Sequence, residues 1–132
     1  MSDMTMKKRR PKYLNLAEIR LPLPGFVSIL HRVSGAILFL MLPLLLYLFS
    51  SSLGSPESFA AYKQVVANPL VKLILLGLLW SFLHHFCMGI RILLIDIHVG
   101  VEKEQAHSSA VAVLVVSLAL TAIFGLKLLG AY

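Results

Sequence analysis

The stretch VSGAILFLMLPLLLYLFSSSLGSP, residues 33–56, carries no charged side chain and decides how this chain must fold. Two further uncharged stretches follow, at residues 73–90 and 105–126. A helix needs about 20 residues to cross the hydrocarbon core of a bilayer, and each stretch with its flanks is long enough. Strands are not expected, because an open sheet leaves unpaired backbone groups at its edges in lipid. The sequence therefore predicts an all-α integral membrane bundle of three transmembrane helices.

The uncharged stretches place the three helices near residues 26–50, 70–95 and 108–130, so that residues 26–130 form one anchor domain. Residues 1–25 precede it as a polar and basic segment, in which residues 15–20 are a candidate for a short interfacial helix. Pro22 and Pro24 are expected to form a turn before the first span, because proline disfavours the helical conformation in the residue that precedes it. Residues 51–68 and 96–107 are predicted to be the connecting loops.

The composition excludes several classes of protein. Of the 132 residues, 58% are hydrophobic and 14% are charged, and the mean hydropathy is +0.86. A soluble domain carries about 25% charged residues, so little of this chain is suited to a separate water-soluble catalytic domain. Cys87 is the single cysteine. One thiol cannot form an intrachain disulfide, and it cannot supply the several thiolates that hold an iron–sulfur cluster.

The net charge is +6, and the excess is concentrated before the first span. A nucleic-acid-binding protein would carry such a cluster on the face of a soluble scaffold. Here the cluster adjoins a membrane segment, so it indicates topology. The positive-inside rule predicts a multi-pass protein with a cytoplasmic N-terminus and the C-terminus on the opposite side, and the family resemblance given below implies the inner (cytoplasmic) membrane.

Polar and ionisable side chains gather near the predicted cytoplasmic ends of the first two spans. Such groups are costly at membrane depth, and most of them face a bundle interior or a cavity. They are the candidates for function: Ser28, His31, Arg32 and Ser34 on the first span, and His84, His85, Arg91 and Asp96 on the second.

Two adjacent histidines on the second span are candidate haem ligands. A histidine in an apolar helix suits axial ligation of haem iron. Gly89 lies four residues after His85 and on the same helix face, where it leaves room for a flat macrocycle. The alternative is a hydrogen bond from an intramembrane histidine to a neighbouring helix. From the residues alone, the choice between His84 and His85 stays open.

Ser28 and Arg32 are four residues apart and share a face of the first span. Their hydroxyl and guanidinium groups can hydrogen-bond a quinone carbonyl. The alternative is that Arg32 reaches toward lipid phosphates while Ser28 caps the helix. Asp96, at the end of the second span, is expected to pair with Arg91 or Arg32, or to pass protons to a reduced quinone.

Two spaced motifs resemble those of a known family. The segments are NLAEIRLPLPG at residues 15–25, SILHRVSG at 28–35 and HFCMGIRILLID at 85–96. They are similar to the cytochrome b membrane anchor of succinate dehydrogenase, the large anchor subunit of complex II. The resemblance covers almost the whole chain. It implies half of a heterodimeric haem-binding anchor in a succinate:quinone oxidoreductase, which serves electron transport and the tricarboxylic acid cycle.

The resemblance also implies roles for individual residues. His85 would be one axial ligand of haem b, and a second, smaller anchor subunit would supply the other. Ser28 and Arg32 would line the site for ubiquinone or another quinone. His31 and Arg32 would lie near the haem propionates, and Asp96 with Arg91 would form a polar network. The implied partners are the second anchor, an iron–sulfur subunit, a flavoprotein subunit and the lipid bilayer.

This chain departs from the family pattern at Ile92, where a histidine is common after the Gly-Ile-Arg triplet. The chain would not itself oxidise succinate, because it carries no nucleotide-binding fingerprint. Two alternatives to the main hypothesis stay open: an anchor of a quinol:fumarate reductase, which runs the chemistry in reverse, and a haem-free structural membrane anchor.

Overall fold

The computed structural model describes residues 19–130, and the regular structure in that range is helical. The helices are α1 (Leu23–Leu53), α2 (Pro56–Ala67), α3 (Pro69–Asp96) and α4 (Lys103–Leu129). By length and composition, α1, α3 and α4 are able to cross a membrane. This confirms the predicted all-α fold with three spans. The basic residues before Ile19 and most of the candidate interfacial helix at 15–20 lie outside the described range.

The first span begins earlier than the sequence predicted. Pro22 is the residue before α1, and Pro24 lies inside its first turn instead of in a preceding turn. Proline fits there because the first N–H groups of a helix have no intrahelical partner and the proline ring pre-sets the backbone angle. Pro43 lies within α1, and the helix continues through it.

The first connecting segment is wrongly predicted as a loop, because most of it is the helix α2. Ser55 caps its start, since the backbone N–H of Ser58 donates to Ser55 Oγ at 3.3 Å. Pro56 occupies the first helical position and Glu57 the first turn, where a negative charge favours the helix dipole.

The second connecting segment is shorter than predicted, because α4 begins at Lys103 instead of near residue 108. The polar residues before the apolar stretch therefore extend the helix beyond the membrane core. The chain reverses direction through a turn in which His98 has a φ of 63° and Gly100 a φ of 77°. Glycine adopts such angles without steric cost.

The three spans pack with α3 in contact with both α1 and α4. Val27, Met88, Ala110 and Val113 form a small core where the start of α1, the end of α3 and the start of α4 meet. Large apolar side chains cover the outer surface; Phe39, for example, is 74% exposed. That surface suits lipid or further helices, and the polar side chains lie close to the small core.

Candidate functional site

The ring of His85 lies in the contact between α3 and α1. It stacks on the ring of His31, with centroids 4.1 Å apart and planes inclined by 15°. The two residues come from the two motifs that the sequence singled out. The structure therefore brings both motifs to one point, at the end of the bundle where α1 begins and α3 ends.

A hydrogen-bond set on α1 fixes the orientation of His85. Ser34 Oγ donates to the carbonyl oxygen of His31 at 2.8 Å. Nδ1 of His85 lies 3.1 Å from the same carbonyl oxygen and 3.3 Å from Ser34 Oγ. A carbonyl oxygen only accepts, and the Ser34 proton already points at it, so Nδ1 must be the donor to both oxygens. In a neutral imidazole this leaves Nε2 with the lone pair that a metal ion needs.

Two glycines leave space around this ring. A Cβ atom at Gly35 would lie 2.8 Å from Cε1 of His85, so no other residue fits there without displacing the imidazole. A Cβ atom at Gly89 would meet nothing within 4 Å. The helix face that Gly89 shares with His85 is therefore open, as a flat ligand beside the ring requires.

His84, the neighbouring histidine, is in a different environment. It is fully buried within the chain and stacks on Trp80 at a centroid distance of 5.2 Å. In the described part of the chain, neither of its ring nitrogens makes a hydrogen bond of good geometry, although the Val27 backbone lies near the ring. By contrast, His85 is half-buried, and its Nδ1 is bonded.

The candidate quinone residues lie on α1 beside this pair. Ser28 is half-buried and Arg32 is exposed, and both are within one helical turn of His31. Arg32 is adjacent in sequence to the residue that stacks on His85, so its guanidinium belongs to the same end of the bundle. The arrangement offers a hydroxyl and a cation next to an oriented imidazole.

Arg91 and Asp96 are not brought together. Asp96 is exposed at the end of α3. The Arg91 guanidinium is buried and reaches α4, where Nε donates to Ser109 Oγ at 2.9 Å and Nη2 donates to the carbonyl oxygen of Ala106 at 3.1 Å. Arg91 thus ties α3 to α4, on the side away from the α1 contact that holds His85.

Sequence reasoning placed Ser34 in the polar cluster of the first span without assigning it a role, and it missed Gly35. Both stand in the SILHRVSG motif, three and four residues after His31 and hence on its helix face. That spacing is the signal that could have placed them against the same partner as His31.

The donor set and the space around it fit a haem group. Nε2 of His85 would be the iron ligand, with Nδ1 held by α1, because metal-bound histidines almost always donate their other nitrogen to a fixed acceptor. The open face at Gly89 would receive the edge of the macrocycle.

The fold and site together define a polytopic membrane protein whose intramembrane ionisable side chains gather at one end of its spans. The chain belongs to the family described as Succinate dehydrogenase/Fumarate reductase transmembrane subunit, which matches residues 6–124.

Individual relatives agree with this family. The succinate dehydrogenase cytochrome b556 subunit of Paracoccus denitrificans is 34% identical over 120 residues, which are 91% of this chain and 92% of that protein. The subunit of the same name from Coxiella burnetii is 36% identical over 113 residues, 85% of this chain and 90% of that protein. The one from Rickettsia prowazekii is 28% identical, covering 86% and 88%. These relatives are subunits of an enzyme complex.

Proposed function

We propose that this chain anchors a succinate:quinone oxidoreductase in the membrane, provides one axial ligand of a haem b through His85, and forms part of the quinone-reduction site. The observation that carries the proposal is the bond from Nδ1 of His85 to the His31 carbonyl oxygen at 3.1 Å. It leaves Nε2 free to bind iron. The names of the relatives, which are cytochrome b556 subunits, support the haem assignment.

Haem, when bound, supplies a one-electron redox centre, and the protein's part is to hold and tune it. His85 would hold it, and the Ser34 and His31 oxygens would keep the imidazole ring from rotating. His31, which stacks on the His85 ring, and the adjacent, exposed Arg32 would interact with the propionates. The second ligand would be supplied by another subunit, because His84 is enclosed within its own chain.

Ser28 and Arg32 form this chain's share of the quinone site. The hydroxyl and the guanidinium donate hydrogen bonds to a quinone carbonyl, and the cation stabilises negative charge as the oxygen is reduced. Electrons arrive from an iron–sulfur subunit that is itself reduced by a flavoprotein subunit. Asp96, exposed at the same end of the bundle, is positioned to exchange protons with water.

The proposed orientation places the start of α1 on the cytoplasmic side of the inner membrane and the end of α4 on the opposite side. The basic cluster before the first span supports it. The relatives' names favour succinate oxidation over fumarate reduction as the physiological direction.

The test is a reduced-minus-oxidised spectrum of the complex co-purified with this chain under mild detergent. We expect a b-type absorbance band that is lost in His85→Ala and retained in the matched variant His84→Ala. A complex without such a band would establish a haem-free anchor. Loss of the band in His84→Ala, with the band intact in His85→Ala, would reverse the ligand assignment.

A further inference from the structure

A cavity of about 380 Å³ lies between the end of α3 and the start of α4, away from the α1 contact that holds His85. Its walls are mixed in character. Apolar side chains from the end of α3 and the turn face polar ones from α4. The lining includes Arg91, Leu94, Val99, Gln105, Ser108 and Ser109. Neither the haem assignment nor the quinone assignment uses it.

The charged group in this cavity is incompletely satisfied. Arg91 is 7% exposed. Its Nε and Nη2 donate to Ser109 and Ala106, but Nη1 is paired only with the sulfur of Met88 at 3.7 Å, and a thioether is a weak acceptor. A guanidinium therefore keeps N–H donors that no protein oxygen in the described range accepts.

The charge of Arg91 is also not balanced by these contacts. Its partners are a hydroxyl, a backbone carbonyl and a thioether, all of them neutral. A buried cation without a counter-charge is costly, and the cost is highest at membrane depth. The cavity beside it is thus a place where an anion would be stabilised.

The surroundings identify the kind of anion. Leu94 and Val99 line the cavity and are 44% and 52% exposed, so the cavity continues into the apolar outer surface of the bundle. Gln105 adds an amide donor from the first turn of α4, where the helix dipole also favours negative charge. The Ser108 hydroxyl also lines the cavity, but it donates to the Glu104 carbonyl oxygen at 2.9 Å. A small soluble anion would leave the apolar wall in contact with water, whereas a lipid covers it with acyl chain.

We propose that this cavity binds the phosphate headgroup of an anionic phospholipid, with the Arg91 guanidinium on the phosphate and the acyl chains against Leu94 and Val99. The site lies at the level of the membrane interface, because Arg91 is about a turn and a half from the end of α3. The bound lipid neutralises Arg91 and fills the groove between α3 and α4.

The test measures lipid retained by the intact complex. The purified complex is exchanged into lipid-free detergent, and phosphatidylglycerol and phosphatidylcholine are then titrated separately while bound lipid is counted by native mass spectrometry. We expect wild type to retain phosphatidylglycerol in preference to phosphatidylcholine. Arg91→Gln should weaken phosphatidylglycerol binding by about fivefold or more, because a basic residue contributes that much to binding an anionic lipid. Lys127→Gln, at the other end of α4, is the control and should bind as wild type does.

Because Arg91→Gln also removes the link between α3 and α4, a second variant keeps that link. Gln105→Ala leaves the Arg91 bonds to Ser109 and Ala106 in place, and it should also weaken phosphatidylglycerol binding. Equal binding of the two lipids, or unchanged binding in both variants, would overturn the proposal. Displacement of the lipid by millimolar inorganic phosphate would show a free-anion site instead. A partner-subunit carboxylate cross-linking to Arg91 in the lipid-free complex would show that protein, not lipid, supplies the charge.

Discussion

At the residue scale, the site depends on how four α1 and α3 residues meet. His31, Ser34 and Gly35 of α1 lie against the ring of His85. The oxygens of His31 and Ser34 lie within hydrogen-bond distance of Nδ1, and Gly35 lies next to Cε1, where a side chain would clash. The types of these residues were visible in the sequence, and so was their helical spacing. Their contact was not, because the bond from His85 to His31 joins residues 54 positions apart. Periodicity assigns a residue to a face, whereas helix packing decides which faces meet.

Gly35→Ala tests this packing directly. The added Cβ atom would lie 2.8 Å from Cε1 of His85, a distance that real contacts do not tolerate, so the imidazole must move. Overpacking of this kind costs about 1–3 kcal/mol. We expect a lower haem content per purified complex and a lower Tm than in wild type.

Gly77→Ala is the matched control, because a Cβ atom there meets nothing within 4 Å. Replacing glycine by alanine inside a helix stabilises it by about 0.5–1 kcal/mol, so this variant should keep its haem and have a Tm equal to or slightly above that of wild type. Wild-type haem content and Tm in Gly35→Ala would show that the ring of His85 does not lie against α1.

At the element scale, the sequence predicted the three spans but not the connecting helix α2. An uncharged stretch long enough to cross a bilayer is a local property, and it located α1, α3 and α4. The helix α2 was missed because serine, glycine and alanine suggested a loop. Its start signals were nevertheless present: Ser55 as the cap, Pro56 at the first position and Glu57 in the first turn. Outside the membrane, the residues at which a helix begins and ends are determined by capping residues. A hydropathy profile does not detect these residues.

The cap of α2 predicts a pH dependence. The hydrogen bond with Ser55 is the largest cause that lowers the pKa of Glu57 from its ordinary value of 4.5. Because the pKa is depressed in the folded state, the ionised carboxylate stabilises α2 above the unfolded pKa. That contribution is lost as the pH falls through the folded value. The protection of the α2 amides against hydrogen exchange, taken relative to the intrinsic exchange rate at each pH, should therefore fall below about pH 4.5 in wild type.

Ser55→Ala removes the cap that Ser58 N–H uses, at a cost of about 1 kcal/mol. We expect lower protection of the α2 amides already at neutral pH and a smaller further loss of protection on acidification, since the pKa of Glu57 then returns toward its ordinary value. Ser52→Ala is the control, because Ser52 Oγ bonds only the Phe49 carbonyl within α1. Identical α2 exchange in Ser55→Ala and Ser52→Ala would contradict the capping assignment.

At the scale of the whole molecule, the chain leaves much of its apolar surface and one side of its site uncovered. Phe39 and Leu73 are 74% and 65% exposed, and Arg32 is exposed beside the half-buried His85. A self-contained protein would enclose an oriented imidazole and its neighbouring guanidinium. Here both lie where another subunit can complete the site, which is consistent with the proposal that this chain shares a cofactor and a substrate with partner subunits.

Arg32→Leu separates the quinone site from assembly. Arg32 is exposed on α1, so loss of its charge should leave the packing of the three spans unchanged. A charge-assisted hydrogen bond contributes about 1.5–3 kcal/mol, which corresponds to a loss of about tenfold or more in succinate-dependent quinone reduction. Succinate oxidation by an artificial soluble acceptor, which takes electrons before they reach the membrane, should stay near wild type.

Arg32→Lys keeps the charge but lacks the planar guanidinium, so its quinone reduction should lie between that of Arg32→Leu and that of wild type. Lys127→Leu, which removes a charge from another span, is the control. Equal loss of both activities in Arg32→Leu would show that Arg32 supports assembly of the complex, and wild-type quinone reduction would remove Arg32 from the quinone site.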